Sequence, residues 1–216
     1  MPSTRREFLD RIALGALSLG ALPLSLDAAP TGAPDPKWDL GWVQRVTGKH
    51  RVVLDVPEID SGYGVWRASI WASQYQQVLG AAPRDLSTVL VLRHTGIMLA
   101  MREPFWQQYG VGKAKGAMHP VSMEPTDRNP ALLADVPAPF DSLALDKLIA
   151  RGGIVLACNL AFDEPVRMVK AADGLSDDAA RARALELLVP GVILQPSGIF
   201  AVIRAQEAGC QYVRAS

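Results

Sequence analysis

The residues best equipped for nucleophilic or metal chemistry in this 216-residue chain are two cysteines, Cys158 and Cys210, and three histidines, His50, His94 and His119. Their spacing already excludes several chemistries. None of them has the C-x-x-C or C-x-x-H separation of a structural zinc site. The chain has neither a G-x-S-x-G nucleophile turn nor an H-E-x-x-H zinc helix. "GYGVWR" (62–67) begins like a dinucleotide fingerprint, but Arg67 stands where the third glycine would let helix and strand pack closely. "GVGKAKG" (110–116) lacks the glycine spacing and the Ser/Thr of a phosphate-binding loop. The three carboxylates of "DVPEID" (55–60) suit a cation or a solvated loop, and the loop is the simpler reading. No cofactor is expected from these motifs.

Cys158 lies in "GGIVLACNLAF" (152–162), where an apolar run of strand type stops at the cysteine. Two readings stand. A thiol just before a helix feels the positive end of its dipole, which favours the thiolate. A free cysteine is also a small apolar residue of the kind often buried in cores.

The elements that would position it alternate. Strands are read at 51–56, 86–94, 153–159, 191–197 and, as an edge, 210–215. Helices are read at 64–80, 96–110 (kinked or restarted at Pro104), 141–152 (capped by Asp141 or Ser142), 163–173, 176–189 (capped by Ser176) and 198–209. In the last helix Ile199, Val202, Ile203 and Gln206 share one face. The stretch 111–140 reads as a long loop broken by Pro and Gly. The strands are continuous apolar runs, the mark of burial on both faces, and right-handed crossovers then make the sheet parallel. The expected fold is a three-layer, flavodoxin-like α/β sandwich with a mostly parallel five-stranded sheet, over residues 49–216.

Such sheets bind ligands beyond the carboxyl ends of their strands. Those ends carry Asp55 and Glu58, His94, Cys158 and Asn159, and Ser197. Cys158 is the candidate nucleophile and His94 its auxiliary. Asp55, Asn159 and Ser197 are candidate ligand-binding residues. Cys158 ends its strand whereas Cys210 begins its own, so strands of about six residues separate them by about 20 Å. A disulfide needs Cα atoms within about 7 Å, and two free thiols are expected.

The N-terminus "STRREFLDRIALGALSLGALPLSL" has Arg5-Arg6, then Phe8-Leu9, then a short apolar run. It reads as a twin-arginine signal peptide over 1–29, with export to the periplasm or beyond and no membrane span in the mature chain. A Pro/Gly/Ala-rich linker and an N-terminal arm holding Trp38 and Trp42 follow over 30–48. The 22 basic and 22 acidic residues cancel, which removes the electrostatic reason to expect nucleic acid as a partner.

"LVPGVILQPSGIFAVIRAQEAGCQYV" (188–213) resembles the C-terminal signature of the DsrE/DsrF-like sulfur-relay family, and "GGIVLACNLAF" is similar to its cysteine-bearing strand. "TGKHRVVLDVPE", "VLRHTGIMLAM" and "FWQQYGVG" resemble an exported branch of that family. The resemblance implies a homo-oligomer, trimer or hexamer, and a thiol-bearing or sulfur-carrying partner. It implies that the Cys158 thiolate attacks a sulfane sulfur to give a persulfide, with His94 or Asn159 stabilising charge. The competing expectation is a non-enzymatic oligomeric module that binds a small ligand or a metal, with Cys158 as part of its wall.

Overall fold

The computed structural model describes residues 37–132 and 136–216. Residues 1–29, expected to be a signal peptide, and residues 30–36 of the expected linker lie outside them. Among the described residues, β1 (His50–Val56), β2 (Leu86–Leu92), β3 (Ile154–Cys158), β4 (Val192–Gln195) and β5 (Gln211–Arg214) form one sheet. Its order is β4-β3-β2-β1-β5, and every neighbouring pair is parallel. The helices are α1 (Tyr63–Leu79), α2 (Glu103–Gln108), α3 (Val111–Lys115), α4 (Leu145–Ala150), α5 (Asn159–Asp173), α6 (Asp177–Glu186) and α7 (Gly198–Glu207).

This order and the right-handed rule together assign each helix to a layer. The chain steps from β1 to β4 in one direction, so α1 to α6 share one face. The return from β4 to β5 runs the other way and puts α7 on the opposite face. The cores agree. Val52, Leu54, Val56, Leu90, Leu92, Val155 and Ala157 pack with Phe105, Phe162 and Val169 on the first face. Val53, Val89, Val91, Ile154 and Leu156 pack with Ala201, Val202, Ala205 and the buried Trp42 on the second. Trp42 belongs to a 3-10 turn, Gly41–Arg45, so the N-terminal arm completes the layer that α7 begins. The fold is a three-layer, flavodoxin-like sandwich. No helix among the described residues is long and apolar enough to cross a membrane.

Several local expectations need correction. The helix read over 96–110 does restart at Pro104, which lies in the first turn of α2, but the part before it is a 3-10 turn, His94–Ala100. In the first turn of α2 the missing proline N–H costs nothing. The stretch 111–140 holds α3 and is anchored by the fully buried Asn129. The Asn129 amide donates to the Leu99 and Met101 carbonyls at 3.0 and 2.7 Å. The helix at 141–152 starts only at Leu145, with Ala144 at its cap. Ser142 instead donates its hydroxyl to the Pro139 carbonyl at 2.8 Å.

The face of α7 also differs. Its buried stripe is Gly198, Ala201, Val202 and Ala205, while Ile199 and Ile203 point outward. Both stripes obey helical spacing. What decides between them is close approach: a Cβ at Gly198 would stand 2.7 Å from Cδ of Arg93. Only the small-residue side fits against the sheet.

Cys158 and Cys210 are both free. Because every strand is parallel, they sit at opposite ends of the sheet. Burial pushes the Cys210 thiol up to about 11, with Arg51 opposing weakly. The folded chain thus holds this proton more tightly than the unfolded chain, whose thiol titrates near the ordinary 9.0. That contribution to stability is complete below pH 9 and is lost between about 9 and about 11. The thermal midpoint is expected to fall over this window, and to fall less in Cys210→Ala. Identical slopes in the two proteins would contradict the assignment.

Candidate functional site

The sheet order places a topological switch point between β3 and β4. These strands are neighbours, yet β3 leads to α5 on one face and β4 to α7 on the other. The chain parts there and leaves a crevice at the carboxyl edge, the usual ligand position in open α/β sheets. A cleft of about 410 Å³ occupies it, and Arg93, His94, Cys158, Arg167, Ser197 and Ile199 are among its lining residues.

Cys158 is the last residue of β3 and the N-cap of α5. Its Sγ accepts the Ala161 N–H at 3.4 Å. The capped helix runs 15 residues, long enough for its aligned peptide dipoles to present a partial positive charge at the sulfur. The residue is 6% exposed, but its side chain forms part of the cleft wall. The helix starts at Asn159 rather than at 163 because the thiol supplies the cap.

Ser197 caps α7 in the same way, its Oγ accepting the Phe200 N–H at 3.1 Å. Two helix N-termini therefore converge on one cleft. His94 stands exposed on the wall at the start of its 3-10 turn, with φ at 45°. That left-handed backbone is uncommon for a non-glycine residue. The turn is pinned immediately afterwards: the Gly96 N–H donates to the Pro57 carbonyl at 3.1 Å. A Cβ at Gly96 would lie 2.3 Å from the Val56 carbonyl oxygen.

Asp55 and Asn159 are engaged elsewhere. Asp55 is 2% exposed and accepts from Arg93 twice, from Nε at 2.6 Å and from Nη2 at 2.7 Å. Tyr212 Oη, on the edge strand, donates to the same carboxylate at 3.0 Å. Asp55 thus lies beneath the cleft and holds its wall. The Asn159 side chain turns toward α6, where its Oδ1 accepts from Arg181. Of the remaining carboxylates in the 55–60 loop, Glu58 pairs with Arg214 at 3.0 Å and Asp60 with Arg67 at 2.9 Å. Among the described residues no group of three or more His, Cys, Asp or Glu is placed to hold a metal ion.

Arg93 is absent from the sequence-derived set, although a signal for it exists. Side chains alternate along a strand. Asp55 follows Val53, Arg93 follows Val91 and Cys158 follows Leu156, and all three of those apolar residues belong to the α7-side core. The alternation puts an acid, a base and a thiol on one face at one edge. Arg93 is held charged above the ordinary arginine range, first by its hydrogen bonds to Asp55, against a smaller opposing effect of burial. Glu164, also in the cleft, is paired with Lys115. The site therefore sets a partly enclosed sulfur at a helix N-terminus, with Arg93 and Arg167 in the same wall.

The Arg93 stem lies against Gly198, which gives a direct test. Replacing a helical glycine by alanine ordinarily gains about 1 kcal/mol. Here the added methyl would meet Cβ and Cδ of Arg93 at 2.8 and 2.7 Å, so overpacking of about 1–3 kcal/mol is expected instead. Gly198→Ala should lower the denaturant midpoint and change the alkylation rate of Cys158. A stabilised protein would show that the arginine is not seated there.

No protein-family model matches the chain, and no curated protein matches it.

Proposed function

We propose that this chain is an exported, DsrE/DsrF-like sulfur carrier that takes up sulfane sulfur on Cys158 as a persulfide and passes it to an acceptor thiol. The observation that supports this best is the position of Cys158 Sγ, at the cap of a 15-residue helix and in the wall of the switch-point cleft. A sulfur held there has three supports for negative charge: the Ala161 amide at 3.4 Å, the helix dipole and the Arg93 guanidinium. A persulfide anion needs the same supports as the thiolate from which it forms. In this reading His94, on the same wall, receives the proton that the thiol gives up. The export route is the twin-arginine pathway, the assembly a homo-oligomer of three or six chains, and the acceptor a thiol-bearing partner.

The test is intact-mass spectrometry of the purified chain after exposure to inorganic polysulfide, followed by peptide mapping. An adduct of whole sulfur atoms on Cys158, removed by a small thiol, is the expected result. A chain that stays unmodified although iodoacetamide alkylates Cys158 would sink the reading. The cleft would then be a binding wall rather than a reaction site.

A further inference from the structure

The sulfur donor itself is constrained by the geometry of Arg93. Its Nε and Nη2 are both taken by the buried Asp55 carboxylate, at 2.6 and 2.7 Å. This clamp fixes the guanidinium plane and leaves Nη1 outside the pair with Asp55, and Arg93 is part of the cleft wall. A fork held in this way is preorganised for an oxyanion, because a guanidinium matches pairs of oxygens in its own plane. A second cation, Arg167, reaches the same cleft from α5. The one carboxylate lining the cleft, Glu164, is paired with Lys115. The first turn of α7 adds amides: Ser197 Oγ satisfies only the Phe200 N–H. Gly198 and Ile199, the two residues ahead of it, line the cleft, and the first amides of a helix have no partner within it. Cations and helix amides thus surround open space beside a thiol.

We propose that the donor is a sulfur compound with an oxyanion head, of the thiosulfonate class, with thiosulfate its simplest member. The head sits between Arg93, Arg167 and the first turn of α7, and the sulfane sulfur faces Cys158. The inference rests on the reading of Cys158 as a sulfur acceptor. In the step, the Cys158 thiolate attacks the sulfane sulfur and a new S–S bond forms. The bond from sulfane sulfur to the oxygen-bearing sulfur breaks, and its electron pair leaves on that sulfur, as sulfite when thiosulfate is the donor. The cysteine sulfur is formally oxidised and the leaving sulfur reduced, so no further oxidant is needed. The cations lower the barrier by holding the head where negative charge gathers as it departs.

The experiment compares thiosulfate with inorganic polysulfide. Both are dianions, but only thiosulfate has sulfonyl oxygens. Loading of Cys158 is followed by intact mass in the wild-type full chain and in Arg167→Gln, an exposed position where folding is not at stake. The variant is expected to load about tenfold more slowly from thiosulfate, the cost of one lost charged contact, with a distinctly smaller loss from polysulfide, which feels the same charge but offers no oxygens to the guanidinium. In parallel, sulfate should slow alkylation of Cys158 by neutral iodoacetamide in the wild type, and less so in Arg167→Gln, at constant ionic strength.

Loading from polysulfide alone, or an equal loss with both donors, would overturn the oxyanion seat and leave the Cys158 reading intact. Loading from neither donor would overturn the carrier reading and this inference with it.

Discussion

Cys158→Ser should abolish persulfide loading while leaving the fold as stable as before or slightly more so. The two effects separate because Cys158 combines a chemical and a structural position. As N-cap of α5 it accepts the Ala161 amide through sulfur at 3.4 Å, a weak acceptor at long range. Serine is among the preferred N-cap residues and can take the same amide with a better acceptor. Alanine cannot, and Cys158→Ala should lose about 1 kcal/mol along with all loading. The measurements are a denaturant midpoint and an intact mass for each variant. If serine destabilised as much as alanine, the capping geometry would be wrong. If serine retained sulfur loading, another residue would carry it, and Cys210, buried with its thiol pushed up to about 11, is poorly suited.

The second large effect concerns the ion pair under the cleft. Of its two side chains Asp55 is 3% exposed and Arg93 23%. Arg93→Met strands a carboxylate with Tyr212 as its remaining side-chain partner, and removal of one member of a buried pair costs about 3–5 kcal/mol. Asp55→Ala should cost less, because the guanidinium left behind can turn toward water. The double variant should be less destabilised than the two single costs added, since it strands neither charge. Urea midpoints across this cycle test the assignment. Additive costs would mean that the pair contributes nothing as a pair.

The same pair shows how far the site could be read from residues alone. Cys158, His94 and Ser197 were legible because each ends a recognisable strand, and a parallel sheet gathers such ends at one edge. Asn159 shared that logic but is the first residue of α5, which packs on α6, and Arg181 takes its side chain there. Asp55 was legible as a rim residue, but its service to Arg93 was not, because β1 and β2 had to be paired in register first. The register places Val56 opposite Leu92, which makes Asp55 and Arg93 near neighbours on one face. The outward turn of Ile199 and Ile203 was illegible for a related reason. Helical spacing describes a stripe, and only the clearance at Gly198 says which stripe meets the sheet.

The chain's own order of residues determined the alternation of strands and helices, the parallel sheet and the separation of the two thiols, because apolar periodicity and crossover handedness are local rules. Tertiary structure alone decided the strand order β4-β3-β2-β1-β5. That order makes β3 and β4 neighbours whose helices leave on opposite faces, and so opens the cleft there, with Cys158 in its wall and the Asp55–Arg93 pair beneath it. Strand neighbours are chosen by long-range packing across the whole sheet. The chemistry of a single segment does not encode them.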